Sequence, residues 1–149
     1  MKLVTQLSFV FLLFCIFSCK KDSTNSLTPV QLLTQQSWTL TGERWNPSNA
    51  GWSDLYQGIP SCRKDNIITY YSDLSLINNE GATKCNSSDP QIFKTATWAL
   101  YENNTRISVA ESSKTYYYEI LQLDNQAFKT LLRDTIPPSI TLYEFTFGH

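Results

Sequence analysis

The sequence predicts an all-β fold: an eight-stranded antiparallel up-and-down barrel with a short N-terminal helix. Three features of the chain carry that expectation. From Trp38 onward, β-branched and aromatic residues gather in short runs, several with the two-residue alternation of a half-buried strand. Most runs are separated by only two to five residues, a spacing that forces sequential strands to pair antiparallel. The connection over residues 46–61 is the longest, and a Greek-key sandwich, which needs a long crossover, is the less favoured arrangement. Closing eight strands into a barrel also removes the open edges through which sheets aggregate.

With 149 residues, the chain is sized for one domain and one core. Its opening, MKLVTQLSFVFLLFCIFSC, places one early lysine, Lys2, before an unbroken apolar stretch from Phe9 to Phe17. This is the layout of a signal peptide, assigned to residues 1–18. A membrane-crossing helix needs about 20 apolar residues, and this run is shorter. Ile16-Phe17-Ser18-Cys19 resembles the lipobox of bacterial lipoproteins, with an aliphatic residue three before the cysteine and a small one directly before it. The resemblance implies diacylglycerol transfer to the Cys19 sulfur, cleavage before it, and acylation of the new amino group by a chain such as palmitate. One acyl chain, at about 0.8 kcal/mol per buried methylene, holds a membrane only reversibly, whereas several on one residue make a stable anchor.

Residues 19–27 read as a flexible tether, polar and without periodicity, and residues 28–149 as the folded domain. Thr28-Pro29-Val30-Gln31 carries an N-cap threonine, a proline at the first helical position and a glutamine three after the cap, which predicts a short helix to about Gln35. Strands are expected at residues 38–45, 66–71, 74–78, 92–101, 106–111, 115–123, 127–133 and 140–147. Ser72-Asp73 makes the second and third a hairpin, and Pro137-Pro138 breaks the chain before the last strand. Alternation places Trp38, Leu40, Ile68, Tyr70, Trp98, Leu100, Ile107, Val109, Tyr118 and Ile120 on the inner face. With so many large rings, a filled core or a shallow cup is expected rather than a deep calyx.

Cysteine usage fits export. Cys15 falls in the removed segment and Cys19 is consumed by lipid, leaving Cys62 and Cys85 as one disulfide. Both flank the 66–78 hairpin at nearly equal offsets from its turn, so antiparallel pairing brings them to its open end.

LLTQQSWTLTG, CRKDNIITYYSD, NNEGATKC and TATWAL, in that order after the opening helix, together resemble the lipocalin-like domains of small lipoproteins of Gram-negative bacteria. The likeness covers residues 28–149 and is one of architecture: Gln36 stands where true lipocalins usually carry glycine, two before the first-strand tryptophan. It implies a small up-and-down barrel, with binding of a small hydrophobic or amphipathic molecule inferred by analogy of fold. Fold alone does not fix function.

Other classes of function find little footing. The 12 basic and 13 acidic residues balance, with no basic stripe for nucleic acid. No CxxC or phosphate-cradling glycine loop occurs, and His149, the single histidine, is expected to fray, so no metal, cofactor or catalytic residue is assigned. Asp73, Glu80 and Asp124 read as solvated turn residues. The aromatic loop WNPSNAGWSDLYQGIP offers Trp45, Trp52 and Tyr56 as a lid over the open end, or as a plug packed on its rim. With Trp38, Tyr70, Trp98 and Tyr118 from the barrel, they make up the candidate ligand site. The expected protein is a monomer and not an enzyme, held by lipid to the periplasmic or the surface face of the outer membrane; Lys20 rather than Asp after Cys19 speaks against the inner membrane by the sorting rule of enteric lipoproteins. The alternative is a closed barrel that displays its loops to an envelope protein or a surface glycan.

Overall fold

The computed structural model describes residues 26–149. The signal segment, Cys19 and most of the tether lie outside the described residues. Helix α1 (Pro29–Thr34) begins with a reciprocal cap, in which the Gln31 amide donates to Thr28 Oγ1 at 3.2 Å and the Thr28 amide to Gln31 Oε1 at 2.8 Å. Its Leu33 is fully buried, and the Leu33 carbonyl accepts the Trp38 indole N–H at 3.1 Å, tying the helix to the first strand.

Nine strands follow: β1 (Trp38–Pro47), β2 (Ser53–Asp54), β3 (Ile67–Tyr70), β4 (Ser75–Asn79), β5 (Ile92–Tyr101), β6 (Arg106–Glu111), β7 (Lys114–Leu123), β8 (Phe128–Ile136) and β9 (Ser139–Gly148). Eight of them, β1 and β3 to β9, form a closed antiparallel barrel in which each strand pairs with the next. Closure runs along the whole of β1 and β9, from Thr39 opposite Gly148 to Pro47 opposite Thr141. The other side of β1 is divided: Trp38 and Thr39 pair with β3, while Arg44 and Trp45 pair with the two-residue β2. Between those pairings lies a seam where the barrel wall is not hydrogen-bonded strand to strand.

The inner face follows the expected alternation. Trp38, Tyr70, Trp98, Ile107 and Val109 are buried, joined by Leu33, Leu76 and Phe128, with Ile68, Leu100, Tyr118 and Ile120 packed against them. The Trp38 and Phe128 rings meet at 5.6 Å, and Tyr70 stands edge-on to Trp98 at 5.5 Å. In the YYY run, Tyr117 points outward, 60% exposed, between two half-buried neighbours. Register sorts the two ends. The base carries α1 and the turns at residues 71–74, 102–105 and 124–127; the mouth carries the segments joining β1 to β3 and β4 to β5, with Ser112-Ser113 and Pro137-Pro138.

Cys62 and Cys85 are bonded, with Cα atoms 5.1 Å apart, at the mouth end of the β3–β4 hairpin. Several expectations change. β8 and β9 run to a two-residue turn at the cis Pro137-Pro138 bond, because the ladder continues to Ile136 opposite Ser139. The long connection is structured: it holds β2, a 3-10 turn at Tyr56–Gly58 and a short helix α2 (Ser61–Lys64). His149 is not frayed, because β9 pairs as far as Gly148 and lays the imidazole on Trp38, with centroids 4.1 Å apart. There the His149 ring nitrogens meet the Ser37 carbonyl, at 2.7 Å, and the Gln36 amide.

Candidate functional site

Of the expected filled core or shallow cup, the filled core is confined to the base. A cavity of about 660 Å³ occupies the interior above the packed base, within the size range of small-molecule sites. The rings expected to fill it account for the difference: Trp38 and Trp98 pack into the core, and Trp98 is pinned there by donating to the Tyr71 and Ser75 carbonyls at 3.1 and 3.0 Å. Space remains above them where the inward residues are medium-sized or polar.

Its lower wall is apolar, built from Ile68, Tyr70, Leu76, Ile107, Phe128 and Phe147. Towards the mouth polar side chains join the lining, Glu43, Arg63, Asn66, Asn78, Glu80 and Lys94, beside Ile59, Pro90 and Phe93. Strand alternation explains the gradient. On β3 and its approach, Asn66, Ile68 and Tyr70 face inward, and on β4 and its exit Leu76, Asn78 and Glu80 do, with Ile68 opposite Asn78 and Tyr70 opposite Leu76. Ile59 and Arg63, from the 3-10 turn's end and α2, close the seam between Leu40 and Glu43 of β1 and Ile67 of β3.

Burial governs the titratable groups. It pushes the Tyr118 phenol up to about 12, helped by the nearby Glu111 carboxylate and Tyr116, and raises Tyr70 further, so both rings stay protonated. Burial also raises the Glu43 carboxyl, opposed by the positive Arg63. Lys94 Nζ is paired with Glu111 Oε1 at 2.9 Å. Three lining side chains carry buried oxygens with no hydrogen-bond partner among the described residues: Asn66 Oδ1, Asn78 Oδ1 and Glu80 Oε2.

Of the seven aromatic residues singled out from the sequence, Tyr70 and Tyr118 line the cavity. Trp38 and Trp98 form its packed floor. Trp45 lies on the inner face of β1, opposite Tyr143, beyond the cavity lining. Trp52 and Tyr56 are not over the mouth. Ser48, Asn49 and Gly51 adopt positive φ and turn the chain back, so that β2 runs down beside β1. Trp52 therefore stacks on the outward-facing Arg44, 5.1 Å from its ring, and Arg44 pairs with Glu144 at 2.7 Å. Tyr56 meets Lys64 Nζ at 4.5 Å. Both expectations for Trp52 and Tyr56, a lid over the mouth and a plug on its rim, are thus corrected: Ile59 and Arg63 are the residues this connection brings to the cavity.

Glu80 is a second correction. Asp73 and Asp124 do sit in exposed turns, where they accept neighbouring amides, but Glu80 is 8% exposed and faces the cavity. Extending the Leu76, Asn78 alternation by one step finds it. No such signal marks Ile59 or Arg63, which are placed by a loop without periodicity.

The arrangement can hold a molecule with an apolar body below and a polar end at the mouth. Among the described residues, no helix is long and apolar enough to cross a membrane. No protein-family model matches the chain, and no curated protein is found to be similar to it.

Proposed function

We propose that this is a lipid-anchored lipoprotein of the bacterial cell envelope whose lipocalin-like barrel binds one small hydrophobic or amphipathic molecule in its interior. The observation that carries the reading is the cavity of about 660 Å³, apolar at its base and joined by polar side chains at its mouth. Sequential strand pairing, a helix below the barrel and an interior opening at one end support the likeness to lipocalin-like domains. An open interior also favours this reading over a closed barrel that works only through its loops. On this reading the protein carries its ligand without transforming it. Anchoring rests on the Ile16-Phe17-Ser18-Cys19 lipobox, and the outer membrane is the proposed address.

Two measurements test the two halves of the proposal. Residues 26–149, titrated with the neutral dye N-phenyl-1-naphthylamine, are expected to enhance its fluorescence saturably at one site per chain. Linear, non-saturating enhancement would remove the ligand-binding reading. Cells expressing the full chain and fed labelled palmitate are expected to label the wild type but not Cys19→Ala. Labelling of the variant would remove the anchor, and with it the cysteine-parity reasoning.

A further inference from the structure

The polar rung of the cavity has a chemical bias. Asn66 and Glu80 stand one step beyond the Ile67–Asn79 pair, and Asn78 lies next along β4. Each presents a buried oxygen without a partner among the described residues, and Glu80 is more than nine-tenths buried. A carboxylate oxygen can only accept hydrogen bonds, and burying it without a donor is costly. The charges around it lean the same way. The lining holds four carboxylates, Glu43, Glu80, Asp89 and Glu111, against two basic groups, Arg63 and Lys94. Lys94 is already paired with Glu111, and among the described residues neither Lys94 nor Arg63 forms a salt bridge with Glu80.

We infer that the molecule taken by the cavity has a cationic, hydrogen-bond-donating head, in its simplest form a primary alkylammonium, held at the mouth by Glu80 together with Asn66 and Asn78. The inference rests on the ligand-binding reading above. An ammonium offers three N–H donors and no acceptor and suits the acceptor-only Glu80 carboxylate, with the Asn66 and Asn78 amides beside it, whereas a carboxylate head would meet Glu80 as a like charge. The hydrocarbon then lies along Ile68, Tyr70, Ile107 and Phe128. Cation and carboxylate meet away from bulk water, where such a bond is at its strongest.

The test uses the full chain in nanodiscs, titrated calorimetrically with n-octylammonium, n-octanol and n-octanoate against empty-disc blanks. Octylammonium is expected to bind about tenfold or more tighter than octanoate, with octanol between them. In Glu80→Gln, octylammonium is expected to weaken about tenfold while octanol changes by less than about twofold. Octanoate binding as tightly as octylammonium, or an unchanged preference in Glu80→Gln, would overturn the inference and leave the cavity as a ligand site of different head-group preference. Failure of all three probes to bind would overturn this inference and the ligand-binding reading together. The wild-type preference decides the matter even where the variant does not fold.

Discussion

At Gly81, an added Cβ would fall on the backbone carbonyl of Asp65, so the residue is glycine because two chain segments meet there. Asp65 in turn accepts the Thr83 amide and hydroxyl, each at 2.8 Å, which holds its carboxyl below the usual range and fixes the exit from β4. Gly81→Ala is therefore expected to cost about 2 kcal/mol, the scale of an overpacked contact, in a urea unfolding curve. Gly58→Ala, where nothing lies within 4 Å, should be close to neutral and is the matching control. The tyrosines yield a prediction with a definite sign. The folded protein keeps protons on Tyr70 and Tyr118 that an unfolded chain releases near pH 10, so stability is full below pH 10 and falls as the pH rises toward about 12. Tyr118→Phe should flatten that fall in denaturation midpoints measured from pH 9 to 12. An unchanged slope would mean that the Tyr118 hydroxyl is not desolvated. Residue facing was legible in the sequence wherever strands alternate cleanly, as at Trp38, Ile107 and Val109. Glu80 is hidden from a reading by residue type, although the same alternation points it inward.

At the scale of elements, the disulfide staples α2 to the segment after β4, and so holds Arg63 and Ile59 at the mouth. Closing a loop across a sequence separation of 23 should stabilise the fold by about 3 kcal/mol in the chain-entropy picture. Cys62→Ala/Cys85→Ala is expected to lose about that much in thermal or chemical melts. The same variant should weaken dye binding, because α2 is no longer pinned beside the cavity. Loss of stability without any change in binding would separate the mouth from the staple. Strand runs were readable because each carries its own period and turn residues, and β5 and β6 occupy the very residues the pattern marks. The connection from β1 to β3 was not readable in the same way. Its path depends on contacts made only in the fold: Trp52 on Arg44, Tyr56 on Lys64, and the Leu55 amide on the Glu43 carbonyl at 2.9 Å. A loop rich in aromatic residues suggests a lid or a plug at the rim, and these partners draw it to the outside of β1 instead.

For the molecule as a whole, barrel closure follows from local rules. Every connection between successive barrel strands joins neighbours in the sheet, and pairing of the first strand with the last leaves no open edge over most of its length. Interior volume is a different kind of property. It is what remains after all the inward side chains have found their places, so a count of rings does not decide between a filled core and a cup: Trp38 and Trp98 sink into the floor and leave the middle open. The central claim is that ligand binds inside this barrel and not under a lid of Trp52. Titration of N-phenyl-1-naphthylamine into Val109→Trp, which places an indole in the cavity, and into Trp52→Ala, which trims the outer face, tests that claim most directly, with a two-state melt as proof of folding for each. Val109→Trp is expected to abolish saturable binding and Trp52→Ala to leave it unchanged; loss of binding in Trp52→Ala with full binding in Val109→Trp would place the ligand outside the barrel.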